Sequence, residues 1–583
     1  MDIFISSNGR ENADGTKEKP ICSFKCALKF IENNRTNSEQ VIVYVREGKY
    51  RIDESIKMSG IENVSFVAYK NEHVVLTAGK KLYKNSFTPS EHDGIYEVDL
   101  SQYINGTITQ DAFGIKEKNT SCFPVIKKGD RHFELSRWPK KGYLKIEQAS
   151  EEEKSFVSKE IADSHDTYFY GFPKWEWADC ALPIDRIENN RIYLKKTPGF
   201  GVFNGSNFCF MNVFEKMENG EWCFSGEKNK LYFYEKPEDG IEFSYAEFPL
   251  ITMSDCSNIL VKGITFEMTR VNGVECVGGE NIRFEHCVFT DMGKTAVVFG
   301  SNERGAGLDI GSIGYSGDGG KNNGIENCII HSIGMGGVSI SGGDRENLIP
   351  CGNYVKNCEI FDYALFAKCY RPAVSMFGVG CIVSGNKIHG GDHMGIGFEG
   401  NEHIIEGNDI YDVCRFSDDA GAIYTLRDWT FCGSVIRNNY IHDINSGIGK
   451  QGVFAIYLDD CSGTIKIYGN LFERVPVALM VHGGRNIEFY NNIIKDTTQA
   501  FRLLKHHKEM IDKCQIILAN RIGLIDINKP CWDKYSIIRT ILEDEPREPK
   551  YITINDNLLI NSDVGIIQKN IEMYGRIDNK ILR

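Results

Sequence analysis

The sequence predicts an all-β chain wound as a parallel β-helix, a solenoid, with an antiparallel β domain inserted near its beginning. Three observations carry this prediction. First, a phrase recurs from about residue 258, in which an alternating apolar stretch leads to a small polar residue, one variable residue and then Ile or Phe. Its marked slot is Gly263, Cys287, Cys328, Cys358, Asn386, Asn408, Asn439, Asn470, Asn492 and Asn557. Second, the spacing falls to 22 residues and rises irregularly above that, as expected of one coil per repeat with loops inserted on some coils. Third, the chain holds 58 Gly against 15 Pro, which suits many tight turns. No repeat could bury its apolar face alone, but stacked coils pair each strand with its equivalent about 4.8 Å away.

Taken in order, residues 1–81 contain VIVYV, NVSFVAY and EHVVLTAG, which predict an N-terminal cap and the first coils. Residues 82–245 lack the phrase, are rich in aromatics (YFYGFPKWEWAD) and carry turns such as MENGEW, so they are expected to form the inserted domain. Residues 246–583 form the main β-helix. Within it, the spacing of QAFRLLKHHKEMIDKC predicts a helical excursion at about 497–548. Asn at a fixed inward bend builds an amide ladder between coils, and Cys is a small apolar substitute for it.

A net charge of −13 argues against a nucleic-acid partner, which needs clustered Lys and Arg. No apolar run is long enough for a membrane span, and the start, MDIFISSNG, lacks a basic region followed by an apolar one, so a cytoplasmic protein is expected. The 19 Cys have no CxxC pair and predict reduced, buried thiols rather than a disulfide framework or zinc site. No cofactor and no metal are expected.

Equivalent positions of consecutive coils form columns. Aligning GIGFEG, GAIYTL, FAIYLD and ALMVHG puts Glu399, Leu426, Asp459 and His482 in one outward column, with Tyr424 and Tyr457 also outward. Phe398, Thr425, Leu458 and Val481 then point inward. Ser417, Asp418 and Asp419 enter the second of these strands, Arg427, Asp428 and Trp429 leave it, and Asp460 follows Asp459. An aromatic surface beside carboxylates suits carbohydrate, and paired carboxylates suit glycoside hydrolysis, one as acid and the other as nucleophile or base. Each Asp alone reads first as a turn residue, and His389 and His393 as core or turn imidazoles. Ca²⁺ is the other use for paired acids, but the DxDxDG spacing is missing. The convergence of Glu399, Asp419, Asp459, Asp460 and His482 on adjacent coils favours a site.

DHMGIGFEGNEHIIEGNDIYDVCRFSDDAGAIYTLRDWT, with AIYLDDCSGTIKIYGNLF, resembles right-handed parallel β-helix glycoside hydrolases, especially glycoside hydrolase family 141. FISSNGRENADGTKEKPICSF and GEWCFSGEKNKLYFYEKPE extend the likeness over roughly 1–495. The resemblance implies a carbohydrate substrate, with fucose and xylose residues as themes, cleaved by two Asp. Asp419 matches the acid before AGAIYT, and its partner is Asp459 or Asp460 of YLDD. It further implies sugar contacts from His393, Arg427, Asp428 and Trp429, beside Glu399, Tyr424, Tyr457 and His482 of the columns. Two other readings remain open: a polysaccharide lyase or uronate epimerase using Lys368, Arg371 and Arg427, and a non-catalytic carbohydrate-binding β-helix.

Overall fold

A computed structural model describes the chain except residues 36–38, 116, 118–120, 163–164, 302–316, 417, 446–451, 506–507, 547, 570, 572–574 and 583. Ser417 therefore lies outside the described residues.

The main body is a parallel β-helix. Each coil contributes three short strands, as Ile404–Glu406, Asp409–Tyr411 and Ala420–Leu426 illustrate. Every strand pairs in parallel with its equivalent on the next coil: Ile405 lies opposite Ile436, and Ile410 opposite Ile441. One face is a 12-stranded sheet running from Ile56–Ser59 to Gly565–Ile567. The other two faces join into a 25-stranded sheet, linked where Ile552–Ile560 pairs with both Arg485–Tyr490 and Ile493–Lys495. Inward residues from all three faces, such as Ile405, Ile410 and Ile456, are fully buried in one continuous core that runs from Ile3 to Ile571.

The slot residues form a ladder. Each side-chain amide from Asn386 through Asn408, Asn439, Asn470 and Asn492 to Asn557 donates to the next Asn Oδ1 at 2.9–3.0 Å. The ladder runs one step further than the phrase, to Asn579. The cysteine rungs imitate it: the Cys287 backbone N–H donates to Cys328 Sγ at 3.4 Å, and that of Cys358 to Asn386 Oδ1 at 2.9 Å. Before the slot stands a residue at positive φ, such as Gly385 (67°) or Asn438 (56°). Gly263, at 73°, belongs to this preceding position. The register Lys262 to Glu285 and Thr265 to Val288 makes Ile264 the true counterpart of Cys287, a correction of one residue.

Helix α1, Phe24–Asn34, was not evident in the apolar pattern. Ser23 caps it by accepting from Cys26 N, and Phe24, Ala27 and Ile31 are buried. The late excursion is helical, but later than its spacing predicts. Gln499–Leu504 is a strand of the 12-stranded face, and helix α2 begins at Lys508 and ends at Ile522. In QAFRLL the residues Ala500, Phe501 and Leu503 enter the core, which is a strand pattern with one break in its alternation.

Strands between Lys80 and Phe243 form two further sheets. Lys80–Leu82 pairs antiparallel with Ile241–Phe243, so the entry and exit of this insert lie side by side. All its pairings are antiparallel except Glu134 and Leu135 against Glu221 and Trp222. MENGEW makes a turn, Glu221 N to Glu218 O at 3.0 Å, but the hairpin it introduces is Glu221–Ser225 with Lys230–Phe233, after the motif rather than across it. The insert packs on the β-helix. Its core includes Met335 and Ala367 from the coils, and Lys127 spans the junction to Glu267 at 2.7 Å and Asp291 at 2.5 Å. No helix among the described residues is long and apolar enough to cross a membrane. The 18 described cysteines are free, and 15 of them are buried.

Candidate active site

Six consecutive strands of the 12-stranded face build the site: β1 Val374–Val379, β2 Ile396–Asn401, β3 Ala420–Leu426, β4 Val453–Asp459, β5 Val477–His482 and β6 Gln499–Leu504. Gly397 lies opposite Tyr424, Leu426 opposite Asp459, and Leu458 opposite Val481, a register that sets Glu399, Leu426, Asp459 and His482 at equivalent positions. The predicted column is thus present, and Phe398, Leu458 and Val481 sit in the interior.

A local irregularity sets the geometry of β3 and β4. Ala422 and Ile423, and likewise Ala455 and Ile456, enter the core in succession, so the two-residue alternation is broken once on each strand. Tyr424 and Tyr457 are consequently turned out into a second apolar cluster, with rings edge to face at 5.3 Å. Gly421 leaves room for this. A Cβ there would stand 2.7 Å from Tyr457 Cβ.

The tyrosine hydroxyls serve the carboxylates. Tyr457 donates to Asp419 Oδ1 at 3.0 Å and Tyr424 to Asp459 Oδ2 at 2.9 Å. Asp419 enters β3 with φ of 55°, its N–H donating to Gly452 O at 3.0 Å. Burial and the neighbouring Asp459 push its carboxyl up to about 7, opposed by the Tyr457 hydrogen bond and by His482. Asp459 also accepts from the Asp460 N–H at 2.8 Å, and His482 Nδ1 stands 3.4 Å from its Oδ1.

Asp460 is differently placed. It turns at φ of 45° and accepts two hydrogen bonds from Arg427, from Nε at 2.5 Å and from Nη2. Both contacts fall on Oδ2, so two guanidinium nitrogens clasp one carboxylate oxygen. Asp459, Asp460 and His482 have donor atoms within 4.8 Å of one another, the one set among the described residues compact enough for a metal ion.

The remaining expected contacts divide. Glu399 is half-buried in β2, its carbonyl 3.0 Å from His403 Nε2. His393 is fully buried, with neither ring nitrogen hydrogen-bonded, and burial with Arg371 lowers it to about 3. It packs on Tyr370, ring centroids 5.0 Å apart. Asp428 and Trp429, expected as sugar contacts, are placed elsewhere. Asp428 accepts from Thr430 N and Oγ1 at 2.8 and 2.6 Å and faces Arg521 of α2 at 3.8 Å. Trp429 is 3% exposed among Cys461, Leu518 and Ile541. They secure the helical excursion, none of whose described residues belongs to the carboxylate cluster.

Two residues belong to the site without having been expected in it. Tyr370, between the singled-out Lys368 and Arg371, places its hydroxyl 3.4 Å from that of Tyr424. Asp179, of the insert, is fully buried and holds this loop. Its carboxyl accepts from Lys368 N at 2.7 Å, Cys369 N at 3.1 Å and Tyr170 Oη at 3.1 Å. Burial raises its pKa, against those hydrogen bonds. The only sequence signal was position: YFYGFPKWEWAD ends on Asp179.

Residues 309–494 match the family model described as the right handed beta helix region. That decides the handedness: this is a right-handed parallel β-helix. Among solved structures, one described as a glycoside hydrolase shares the fold with TM-score 0.62 and 13% identity, covering 89% of this chain and 98% of its own. Weaker likenesses are the xylose complex of XylC (TM-score 0.49, 11% identity, covering 100% and 86%) and the GH136 lacto-N-biosidase from Eubacterium ramulus (0.40, 10%, covering 86% and 65%). No curated protein matches the chain.

Proposed function

We propose that this right-handed β-helix is a glycoside hydrolase of oligosaccharides, with fucosidase- or xylosidase-like specificity as the resemblance to family 141 suggests. Asp419 is the proton donor and Asp459 the partner carboxylate. The observation that carries the reading is the unequal setting of two neighbouring acids. Asp419 is pushed up to about 7 and keeps its proton near neutrality, while Asp459 is held as an acceptor by Tyr424, the Asp460 N–H and His482. A carboxyl group raised by burial suits the acid role, and a neighbour ringed by donors suits the partner role. The Asp419 proton passes to the glycosidic oxygen as the bond to the anomeric carbon breaks. Asp459 meets the positive charge that develops there, as nucleophile or as base to water.

Asp460 is a positioning residue in this scheme, fixed by Arg427 and fixing Asp459 through its N–H. The lyase reading has less support, because two of its three candidate cations, Lys368 and Arg427, are ion-paired with Asp392 and Asp460. A panel of aryl glycosides tests the proposal. Asp419→Asn and Asp459→Asn should each lower kcat/KM by about 10³-fold or more, with far-UV circular dichroism unchanged. Full activity in both variants would overturn it, and release of an unsaturated product would point to the lyase.

A further inference from the structure

The loops of the insert nearest the carboxylates carry aromatic side chains that the chemistry above leaves unused. Trp175 and Trp177 stand in one turn, closed by Ala178 N to Trp175 O at 3.0 Å. Their rings are parallel within 5°, centroids 6.3 Å apart. A neighbouring loop brings Phe200 against Trp177 at 5.2 Å and Phe203 beside the turn, the two loops tied by Phe203 N to Pro173 O at 2.9 Å. Lys174 Nζ lies over both Trp175 and Phe203, at 5.3 and 4.0 Å from the ring centroids.

This row has an exposed end and a buried end. Trp175 and Phe203 are each 40% exposed, an unusual placement for rings of that size side by side. Trp177 is half-buried and meets Tyr370 edge to face at 6.1 Å. Tyr370 in turn reaches Tyr424, which donates to Asp459. A chain of ring contacts therefore leads from the exposed Trp175 through the buried Tyr370 and Tyr424 to Asp459, and Asp179, in the segment that follows Trp177, fixes the loop on which Tyr370 stands.

We propose that Trp175 and Phe203 form an outlying sugar subsite, which binds a pyranose unit of a longer chain, outward of the one held at Asp419 and Asp459. This rests on the hydrolase reading and deepens it to substrates longer than a single glycosyl unit. A pyranose ring presents C–H bonds on its face and hydroxyls at its rim. An indole face takes the former, and the Lys174 ammonium and Glu176 carboxylate of the same turn are the polar groups available to the latter. A planar ring with few rotatable bonds makes such a contact at low entropic cost.

The test compares short xylo-, gluco-, galacto- and fucosylated oligosaccharides with the matching aryl monoglycosides. Trp175→Ala should raise KM for the oligosaccharide by about tenfold, equivalent to about 1.4 kcal/mol, and leave kcat/KM for the aryl monoglycoside unchanged. Trp175→Phe should restore most of the loss. In the Asp419→Asn background, tryptophan fluorescence titration with the same oligosaccharides should show the same weakening of Kd for Trp175→Ala and for Phe203→Ala. Unchanged oligosaccharide KM and Kd in both variants, or equal losses on both substrate types, would overturn the subsite while leaving the hydrolase reading in place. Trp175-dependent binding with no glycoside hydrolysed would keep the subsite and remove the hydrolase. Neither binding nor hydrolysis would remove both.

Discussion

Tyr457 Oη donates to Asp419 Oδ1 at 3.0 Å across the step between two adjacent coils, and this contact ties the carboxyl group of the acid to the strand that carries Asp459. It forms only because both β3 and β4 break their alternation at the same register, Ala422 and Ile423 opposite Ala455 and Ile456. A strict two-residue alternation through the whole strand would turn either this tyrosine or its inward neighbours the wrong way.

The hydrogen bond favours the charged form of Asp419 and so works against burial and Asp459. Removing the hydroxyl in Tyr457→Phe leaves the raising influences opposed only by His482, and the carboxyl should titrate above 7. The proton donor then stays protonated to higher pH. The basic limb of the kcat/KM profile should move to the alkaline side, the direction opposite to that of a variant that exposes Asp419. A limb that stays in place would detach Tyr457 from the acid.

Asp419 also links folding to pH. Its folded-state pKa, about 7, stands above the ordinary aspartate value of 3.8, so the folded chain binds the proton more tightly than the unfolded one. Its penalty on stability is absent below pH 3.8, grows as pH rises through the window to about 7, and is complete above it. Asp419→Asn removes that penalty. The variant should melt above the wild type at pH 8, with the difference shrinking steadily towards pH 4. Equal melting temperatures at pH 8 would show that the carboxyl carries no such strain.

The β-helix was legible because its signals are local and repeated. Asn at the slot reports an amide that must bond up and down the stack, and Ile at the alternate positions reports the core. Asp419, Tyr424, Tyr457 and Asp459 were legible together because coil spacing alone brings them near. Gly263 was misread by one residue because a left-handed Gly and the slot beside it are both small. The fate of Asp428 and Trp429 was hidden for another reason. What covers them, Leu518, Arg521 and Ile541, follows some ninety residues or more later in the chain, and no period predicts where an excursion docks. The Asp179 clamp was beyond reach in the same way, since it joins two units that only tertiary packing sets side by side.

Asp179 gives a test of that junction. Its two oxygens accept from two consecutive backbone N–H groups and one phenol. Asn offers one oxygen in place of two, so Asp179→Asn orphans at least one buried N–H, at about 1–3 kcal/mol. The loop carrying Tyr370 should loosen. Because Asp179 acts through Tyr370 and Tyr424, kcat should fall more than KM rises for an aryl glycoside, and Asp179→Glu should fail to rescue because a longer side chain overfills a fully buried site. Loss of melting temperature with unchanged kcat would make Asp179 structural alone.

The ladder offers a graded substitution. Asn439 Oδ1 accepts from Asn408 N and Nδ2, while its own N and Nδ2 donate to Asn470 Oδ1 and Nδ2 also donates to Ile405 O. Asn439→Ala strands the Asn408 N–H and the Ile405 carbonyl in the core, where unmet polar groups cost about 1–3 kcal/mol each. Cysteine already fills this slot elsewhere in the chain. At Cys328 the sulfur accepts from Cys287 N at 3.4 Å and lies 3.4 Å from Phe284 O, the same two duties in weaker form. Asn439→Cys should therefore lose clearly less stability than Asn439→Ala in urea unfolding, with the m-value unchanged. Equal losses would mean that the hydrogen bonds of a cysteine rung do not stand in for those of the amide.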